Sequence, residues 1–318
     1  MITGSLGQIG SELTKRLRND YGVDNVIATD IRHVEGNPVV EEGHFEILDV
    51  TDREKMLEIA KRYEVDTLIH LAALLSATAE QKPQLGWQLN MDGLMNALEV
   101  ARELKLKMFT PSSIAAFGPN SPKDNTPQDT IQRPTTMYGV TKVAGELLCD
   151  YYWEKFGVDC RGVRFPGLIS YITEPGGGTT DYAVDIYYEA LKNKKYSSFI
   201  AAGTKMDMMY MPDAIDAIVQ LLEADGSKLI HRNAFNITAM AFDPEEIAAS
   251  IKKVMPEFEM GYDVDPVRQG IADSWPNSID PTDAKKEWGF APKYDLDRMT
   301  VDMLEKLSEK LGIEWTKK

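Results

Sequence analysis

Thr3-Gly4-Ser5-Leu6-Gly7-Gln8-Ile9-Gly10 places glycines in the spacing G-x-x-G-x-x-G at the start of the chain. Glycine lets the backbone turn sharply and approach a phosphate, and a helix beginning near Gln8 directs its amides and dipole at a pyrophosphate. An ordinary glycine turn is the alternative. The residues expected to contact a dinucleotide here are Gly4, Gly7, Gln8, Ile9 and Gly10.

Short apolar runs alternate with longer amphipathic stretches through the first half of the chain. The predicted strands are residues 26–29, 45–48, 67–71, 108–110 and 160–164. The predicted helices lie near residues 8–19, 52–63, 84–105 and 138–156. Strand, helix and strand in repetition indicates parallel strands joined by crossovers, which is an α/β fold of the Rossmann type with a doubly wound parallel sheet. Because only Met1 and Ile2 precede the glycine loop, we expect a late start and a central strand that frays at its beginning.

The pattern loosens after about residue 165. Helices are predicted at 181–193, near Pro212, after Asp243 and near Asp295, with a strand at 235–238. We therefore expect an NAD-binding domain over residues 1–167, completed by about 206–240. Residues 168–205 and 241–318 are expected to form a smaller, mostly helical substrate-binding lobe.

Composition excludes several classes of protein. The formal charge of −15 on 318 residues disfavours nucleic acid, because phosphate-binding surfaces need clustered Lys and Arg, and it favours a small-molecule partner. Cys149 and Cys160 form no CxxC pair, and the four histidines lack ligand spacing, so no metal is predicted. No apolar run reaches the roughly 18 residues that span a bilayer, and no signal peptide is evident. The sequence predicts a cytoplasmic protein.

The residues after the strands favour NAD. Asp30 lies 20 residues beyond Gly10, where a carboxylate binds both ribose hydroxyls and repels a 2′-phosphate, although Arg32 nearby favours that phosphate. Asp49 and Val50 are predicted to meet the adenine, with helix capping as the alternative for Asp49. The remaining predicted contacts are Leu71, Ala72 and Ala73, for which close packing is an equal explanation.

Tyr138 and Lys142 stand four residues apart at the start of a helix, which places them on one helix face. A free phenol has a pKa near ~10 and is a poor base at neutral pH, but a nearby ammonium group stabilises the phenolate. Tyr138 can then accept an alcohol proton while Ser113 holds the same oxygen; Ser112 is the rival for that role. The tyrosine–lysine spacing alone is common by chance.

Asn90 is predicted to order water near Lys142 and to contact the cofactor, with a solvated polar position as the alternative. Its setting, Asn-Met-Asp-Gly, is unfavourable for a helix interior and predicts a local irregularity.

Together these residues resemble the extended short-chain dehydrogenase/reductases. The resemblance covers nearly the whole chain and includes the run 288–292 with Leu296 near its end. It implies NAD as cofactor, Tyr138 as general base aided by Lys142, Pro166 beside the cofactor, and a homodimer formed through the helices near 90–105 and 138–156.

Within that superfamily the local sequence is similar to the short-chain type of L-threonine 3-dehydrogenase. Nucleotide-sugar members usually carry an arginine that grips a diphosphate where this chain has Met206, although Lys205 is adjacent. Residues 175–182 resemble the segment that holds the amino acid; a glycine hinge with a helix cap describes the same residues. Trp275 is predicted as a wall over the substrate methyl group, or else as core. The predicted substrate contacts are Ser76, Ser113, Tyr138, Gly178, Thr179, Thr180 and Trp275.

The sequence thus predicts NAD-dependent oxidation of the L-threonine 3-hydroxyl to 2-amino-3-oxobutanoate. A nucleotide-sugar epimerase or dehydratase is the alternative, and a non-catalytic NAD-binding sensor is a third hypothesis.

Overall fold

Strands and helices alternate along the first 160 residues of the computed structural model, as the sequence predicts. The structure describes residues 1–174, 176 and 178–316. Pro175 and Gly177, which belong to the predicted substrate segment, lie outside the described residues. The strands are β1 Ile2–Thr3, β2 Ala28–Asp30, β3 Phe45–Ile47, β4 Thr67–His70, β5 Lys107–Phe109, β6 Ser112–Ser113, β7 Cys160–Arg161, β8 Val163–Phe165, β9 Gly167–Ile169, β10 Lys195–Ser198, β11 Met206–Tyr210, β12 Phe235–Asn236, β13 Met240–Phe242 and β14 Glu259–Tyr262.

The helices cover both faces of the sheet and build the second half of the chain. They are α1 Gln8–Tyr21, α2 Pro38–Glu41, α3 Arg53–Arg62, α4 Ser76–Gln81, α5 Pro83–Trp87, α6 Gly93–Leu104, α7 Met137–Phe156, α8 Tyr182–Asn193, α9 Met211–Glu223, α10 Pro244–Val254, α11 Pro266–Ser274, α12 Thr282–Trp288 and α13 Leu296–Leu311.

Six parallel strands form the main sheet in the order β3-β2-β1-β4-β5-β7. The strand order reverses between β1 and β4, and in sheets of this kind ligands bind outside the carboxyl ends of the strands at that point. Neighbouring side chains point to opposite faces: Met108 packs into the cluster under α3, α6 and α7, whereas Phe109 packs into the cluster under α1 and α9. The predicted Rossmann-type α/β fold is confirmed.

The central strand β1 is short but is not frayed, contrary to the sequence-based expectation. Ile2 pairs with Ala28 on one side and with Ile69 on the other. Ile2 is 1% exposed, so burial between two neighbours compensates for the shortness of the strand.

Two predicted elements are divided in the structure. The helix predicted at 84–105 is α5 and α6 joined by a π-helical turn at Gln88–Asp92, which confirms the irregularity expected around Asn90. The strand predicted at 160–164 is split at Gly162, where a β-carbon would lie 2.3 Å from the Thr110 carbonyl oxygen. As a result β7 completes the main sheet, whereas β8 pairs with β6 and β12.

The second half of the chain contains more β-structure than the sequence predicts. Strand β11 pairs in parallel with β9 and antiparallel with β13, and β10 pairs in parallel with β14. These strands pack with α8, α10 and α13 around a separate apolar cluster that includes Tyr182, Tyr187 and Met208. Trp275 belongs to this cluster and the half-buried Tyr138 packs against it, so the cluster reaches from the second half of the chain to the predicted base.

Candidate functional site

The glycine loop follows β1 and lies against the loop after β4. Gly4 has a φ of 68°, and a β-carbon there would lie 2.8 Å from the Ala72 nitrogen. A β-carbon at Gly10 would lie 2.3 Å from the Gly4 carbonyl oxygen, so α1 can begin this close only with glycine. Within the described residues 1–21, no side chain caps α1 and no acidic residue occupies its first turn. The start of α1 is therefore suited to an anion.

Asp30 ends β2 beside the glycine loop and is 6% exposed. Its Oδ2 accepts a hydrogen bond from the Leu6 amide at 3.0 Å. Its Oδ1 accepts from the Arg32 amide at 3.1 Å and from Arg32 Nε at 3.3 Å. The carboxylate is thus oriented by the loop that it adjoins, and Arg32 is paired with the acid that was expected to oppose a 2′-phosphate.

Asp49 and Val50 follow β3 on the same edge of the sheet. Asp49 is exposed and its carboxylate accepts from the Thr51 amide at 2.9 Å and from the Thr51 hydroxyl at 2.8 Å. The cap of α3 is Asp52, which accepts from the Lys55 amide. Helix capping, the alternative explanation for Asp49, is therefore wrong. Val50 is buried.

Helix α7 brings Tyr138 and Lys142 to the carboxyl end of the sheet. Thr136 caps the helix by accepting from the Gly139 amide at 3.1 Å. A β-carbon at Gly139 would lie 2.3 Å from the Ala115 carbonyl oxygen, so glycine at this position lets the helix start against the turn that follows Ser113. Tyr138 and Ser113, both half-buried, therefore lie on segments that pack against each other.

Lys142 is held under the Tyr138 ring. Its Nζ donates to the Pro111 carbonyl oxygen at 2.7 Å and lies 5.3 Å from the centre of the Tyr138 ring. The ammonium group is thus fixed by the backbone at the end of β5 and faces the aromatic ring.

The structure separates the two adjacent serines. Ser112 is buried and its hydroxyl donates to Glu146. Ser113 is half-buried, and its Oγ accepts from the Ala115 amide at 3.2 Å, which leaves the hydroxyl proton to donate elsewhere. The geometry favours Ser113 over Ser112 for contact with a substrate oxygen.

Asn90 lies in the π-helical turn, a feature that is frequent at functional sites. Its Oδ1 accepts from the Leu74 amide at 2.7 Å, and its Nδ2 donates to the Leu74 carbonyl and to the Thr141 hydroxyl, both at 3.2 Å. Asn90 is therefore not a solvated polar position. It joins the loop after β4 to the helix that carries Tyr138 and Lys142.

A cavity of about 40 Å³ lies behind these residues, lined among others by Asn90, Lys142 and Glu146. This volume is enough for a small number of water molecules bound to polar groups. His70 also lines it, and burial together with the charge on Lys142 lowers the pKa of His70 to about 3. His70 is therefore neutral at physiological pH, and its Nδ1 lies 2.9 Å from the Thr3 hydroxyl.

Residues 178–181 of the predicted substrate segment form a cap before α8. The Gly178 amide donates to Asp181 Oδ2 at 2.7 Å, which supports the helix-cap description of these residues. Thr179 is buried, and Thr180 lies against Gly167 of β9, where a β-carbon would be 2.7 Å from its methyl group. Ser76 is half-buried at the start of α4.

Two further predicted residues lie close to the core. Trp275 is only 8% exposed and packs in the cluster against which Tyr138 lies, which supports core packing for the indole. Lys123 donates to the Asp273 and Trp275 carbonyls at 2.6 and 2.8 Å and fixes that loop. Pro166 is buried between β8 and β9, where the chain passes from one sheet to the next.

The position expected to carry a phosphate-binding arginine is apolar and enclosed. Met206 opens β11 and is 0% exposed. The neighbouring Lys205 side chain, 44% exposed, lies 3.5 Å from Glu246 on α10. Lys205 is thus paired at the surface and does not replace the missing arginine in the described structure.

Three parts of the site were missed by the sequence analysis. These are the Pro111 carbonyl that holds Lys142, the Leu74 backbone that holds Asn90, and the buried pair Glu146–Arg164 behind Ser112. Glu146 could have been noticed, since it follows Lys142 by one helical turn. A backbone carbonyl carries no signal in the sequence.

The profile of the NAD dependent epimerase/dehydratase family matches residues 1–238. The chain belongs to this family. The match confirms the resemblance to the extended short-chain dehydrogenase/reductases, and residues 1–238 include the glycine loop and the Tyr138–Lys142 pair.

Three similar proteins each match nearly the whole chain. An L-threonine dehydrogenase from Clostridium difficile is 73% identical, with a TM-score of 0.97 and 98% of each chain covered. A monomeric L-threonine 3-dehydrogenase from a metagenome is 43% identical, with a TM-score of 0.93, over 97% of this chain and 98% of that one. An uncharacterised epimerase/dehydratase from Staphylococcus saprophyticus is 64% identical over 310 residues, which are 98% of this chain and 97% of the relative.

Two classes of feature are absent from the described structure. Among residues 1–174, 176 and 178–316, no three His, Cys, Asp or Glu side chains converge as metal ligands. No helix in the same residues has the length and apolar character needed to cross a bilayer.

Proposed function

We propose that this member of the family oxidises the 3-hydroxyl of L-threonine with NAD⁺ and produces 2-amino-3-oxobutanoate and NADH. The observation that carries the proposal is 73% identity over nearly the whole chain with an L-threonine dehydrogenase. The buried Met206 supports it, because a nucleotide-sugar substrate would need a cation for its diphosphate near this strand.

The described residues suit proton transfer at the substrate hydroxyl. Tyr138 Oη accepts the proton from the alcohol oxygen, and the Ser113 hydroxyl donates a hydrogen bond to the same oxygen. Lys142, held by Pro111, keeps a positive charge beside the Tyr138 ring and stabilises the phenolate. The bound nicotinamide supplies the hydride acceptor for the substrate C3.

The cofactor site fits NAD. Glycine at positions 4 and 10 lets the loop and the start of α1 pack closely beside the predicted pyrophosphate site, and Asp30 presents a preoriented carboxylate where the adenosine ribose is expected. The other proposed cofactor contacts are Gly7, Gln8, Ile9, Asp49, Val50, Leu71, Ala72, Ala73, Asn90, Tyr138, Lys142 and Pro166.

The amino acid is proposed to bind between the Tyr138 side chain and the second half of the chain. Residues 168–205 and 241–318 are proposed as the substrate lobe. Gly178, Thr179, Thr180 and Ser76 are the proposed polar contacts. The Asp181 carboxylate accepts a hydrogen bond from the Gly178 amide and so shapes this segment. Trp275 limits the space for the methyl group from within the apolar cluster.

A homodimer is proposed through an exposed apolar stripe on α7. Val140, Leu147 and Tyr151 are 40, 62 and 49% exposed, and their spacing of seven and four residues places them along one face of the helix. Leu147→Glu should convert a dimer into a monomer in light scattering, whereas the exposed Ile230→Glu should not. A monomeric wild type would contradict the proposed dimer, and one similar dehydrogenase is described as monomeric.

The cytoplasm is the proposed compartment, since both cysteines are free and buried.

A nucleotide-sugar epimerase or dehydratase is the second candidate, favoured by the family description and by the name of the staphylococcal relative. The two functions differ in net NADH production, because an epimerase returns the hydride to its substrate. The protein is incubated with NAD⁺ and separately with L-threonine, L-serine, 3-hydroxybutyrate and UDP-glucose, and absorbance of NADH is followed. NADH with L-threonine alone supports the proposal. Configuration change in UDP-glucose without NADH would contradict it, and binding of NAD⁺ without any turnover would indicate a sensor.

A further inference from the structure

A buried ion pair lies directly behind the predicted catalytic side chains. Glu146 of α7 and Arg164 of β8 are both 5% exposed. Arg164 Nε donates to Glu146 Oε1 at 2.9 Å and Nη2 donates to Oε2 at 2.8 Å, so the pair is bidentate. Fixed planar pairing of this kind restricts both side chains to one arrangement.

The carboxylate has two further donors from different parts of the chain. Ser112 of β6 donates to Glu146 Oε1, and Gln132 Nε2 donates to Oε2 at 2.7 Å. All four donors converge on a side chain that is removed from water. An ionised carboxylate is tolerated in such a place only when it is paired and hydrogen-bonded.

Arg164 extends the connection away from the carboxylate. Its Nη1 donates to the Gln128 carbonyl at 2.7 Å and to Asn236 Oδ1 at 3.0 Å. Its guanidinium carbon lies 4.9 Å from the centre of the Phe117 ring. The pair therefore joins α7, β6, β8 and β12 to the loop that contains Gln128 and Gln132.

The ion pair lies close to Lys142 and to the strand that carries Ser113. Glu146 follows Lys142 by one helical turn, and the two residues line the same cavity. In the β6–β8 register Ser112 stands opposite Arg164, and Ser113 stands opposite Phe165. Ser112 also follows Pro111, whose carbonyl holds Lys142.

Stability alone does not account for a buried ion pair, because apolar pairs of similar volume are often at least as stabilising. This pair instead fixes the position of the Ser112 hydroxyl. It thereby also fixes the two backbone units on either side of Ser112. One of these bears the Ser113 side chain and the other bears the Pro111 carbonyl.

We propose that Glu146 is a positioning residue, which acts through Ser112 to hold Ser113 and Lys142 in place for proton transfer. The inference rests on the proposed function only in assigning proton transfer to Tyr138, and it is independent of which alcohol is the substrate.

The test is a double-mutant cycle of Glu146→Gln and Ser112→Ala in the full chain. Each single variant should lower kcat roughly 10- to 100-fold, the size of effect expected when reacting groups are displaced by about an ångström, with KM for NAD⁺ raised by a smaller factor. Because both changes act on one connection, the double variant should be no slower than the slower single variant. Independent roles would instead multiply the two losses and overturn the proposal.

Asp159→Asn is the matched control. Asp159 lies directly before β7, and its half-buried carboxylate pairs with the buried Arg161 of β7 at 2.8 Å. The Asp159→Asn substitution should lower the melting temperature and leave kcat within about twofold of the wild-type value. An unchanged kcat in Glu146→Gln as well would show that the Glu146–Arg164 pair is only structural.

Two further measurements keep the outcome decisive. If Glu146→Gln does not fold, Ser112→Ala still breaks the connection while leaving the ion pair intact, and an unchanged kcat in that variant overturns the proposal. The rates are measured with whichever test compound the wild type oxidises. Inactivity with L-threonine would therefore contradict the proposed substrate but not the positioning role of Glu146. Hydrogen exchange of residues 107–118, measured without substrate, should rise in both single variants, and unchanged exchange would contradict the positioning role.

Discussion

The Lys142 ammonium group donates a hydrogen bond to the Pro111 carbonyl oxygen at 2.7 Å. Pro111 follows β5 and precedes the serine pair, so this contact ties the helix bearing Tyr138 to the strand end bearing Ser113. Proline lacks an amide donor, but its carbonyl remains a full acceptor. The lysine is thereby fixed before any ligand binds.

Replacement of Tyr138 by phenylalanine should abolish proton transfer while preserving ring packing. We expect kcat to fall by about 10³-fold or more, because general base catalysis contributes roughly two to four orders of magnitude. NAD⁺ affinity, measured by calorimetry, should change little. Near-normal turnover in this variant would rule out Tyr138 as the base.

Replacement of Lys142 by methionine removes the cation under the Tyr138 ring. The Tyr138 hydroxyl then loses a neighbouring positive charge, so kcat should fall and NAD⁺ should bind more weakly. The initial rate and the NAD⁺ affinity are measured, with Lys155→Met near the end of α7 as the control. A Lys142→Met variant that keeps the wild-type kcat and NAD⁺ affinity would count against an electrostatic role for Lys142.

Asp30→Asn tests the cofactor preference without changing side-chain size. Hydrogen bonds to a charged acceptor contribute about 1.5–3 kcal/mol, so KM for NAD⁺ should rise roughly tenfold or more while discrimination against NADP⁺ falls. Asp24→Asn, which alters a carboxylate with a 97% exposed side chain, serves as the control. Unchanged preference in Asp30→Asn would assign ribose recognition to another residue.

The carboxyl group of Glu12 should make the free energy of unfolding depend on pH. Burial raises the pKa of its carboxyl to about 7, although Ser170 donates a hydrogen bond to it. Since the folded-state pKa lies above the unfolded value, the stabilising effect of the neutral form is complete below about pH 4.5 and is lost as pH rises to about 7. Glu12→Gln should therefore increase the free energy of unfolding at pH 8 by roughly 2 kcal/mol, and by much less at pH 5. Equal changes in urea unfolding at both pH values would refute this account.

The sequence predicted the sheet and its glycine loop well because the signals are local. Gly4 and Gly10 are required by backbone conformation and close approach, and Asp30 is set by its position at the end of β2. The irregular turn around Asn90 was also predictable, because a polar residue and glycine interrupt an otherwise regular helix.

The rest depends on contacts between distant parts of the chain. Trp275 is buried by a cluster assembled from several helices, and Glu146 is enclosed by partners 18 and 34 residues away in the sequence. Strands β10 and β14 pair across more than 60 residues and carry no strong alternating pattern, so they were not predicted. Periodicity in one segment contains no information about such partners.

The most direct test uses L-threonine that carries deuterium at C3, with mass analysis of the reduced cofactor formed by the wild-type protein. Oxidation at the 3-hydroxyl predicts one deuterium in each NADH molecule and none when the label is placed at C2 instead. Unlabelled NADH from the C3-labelled substrate, or no NADH while a UDP-sugar changes configuration, would contradict the proposed function.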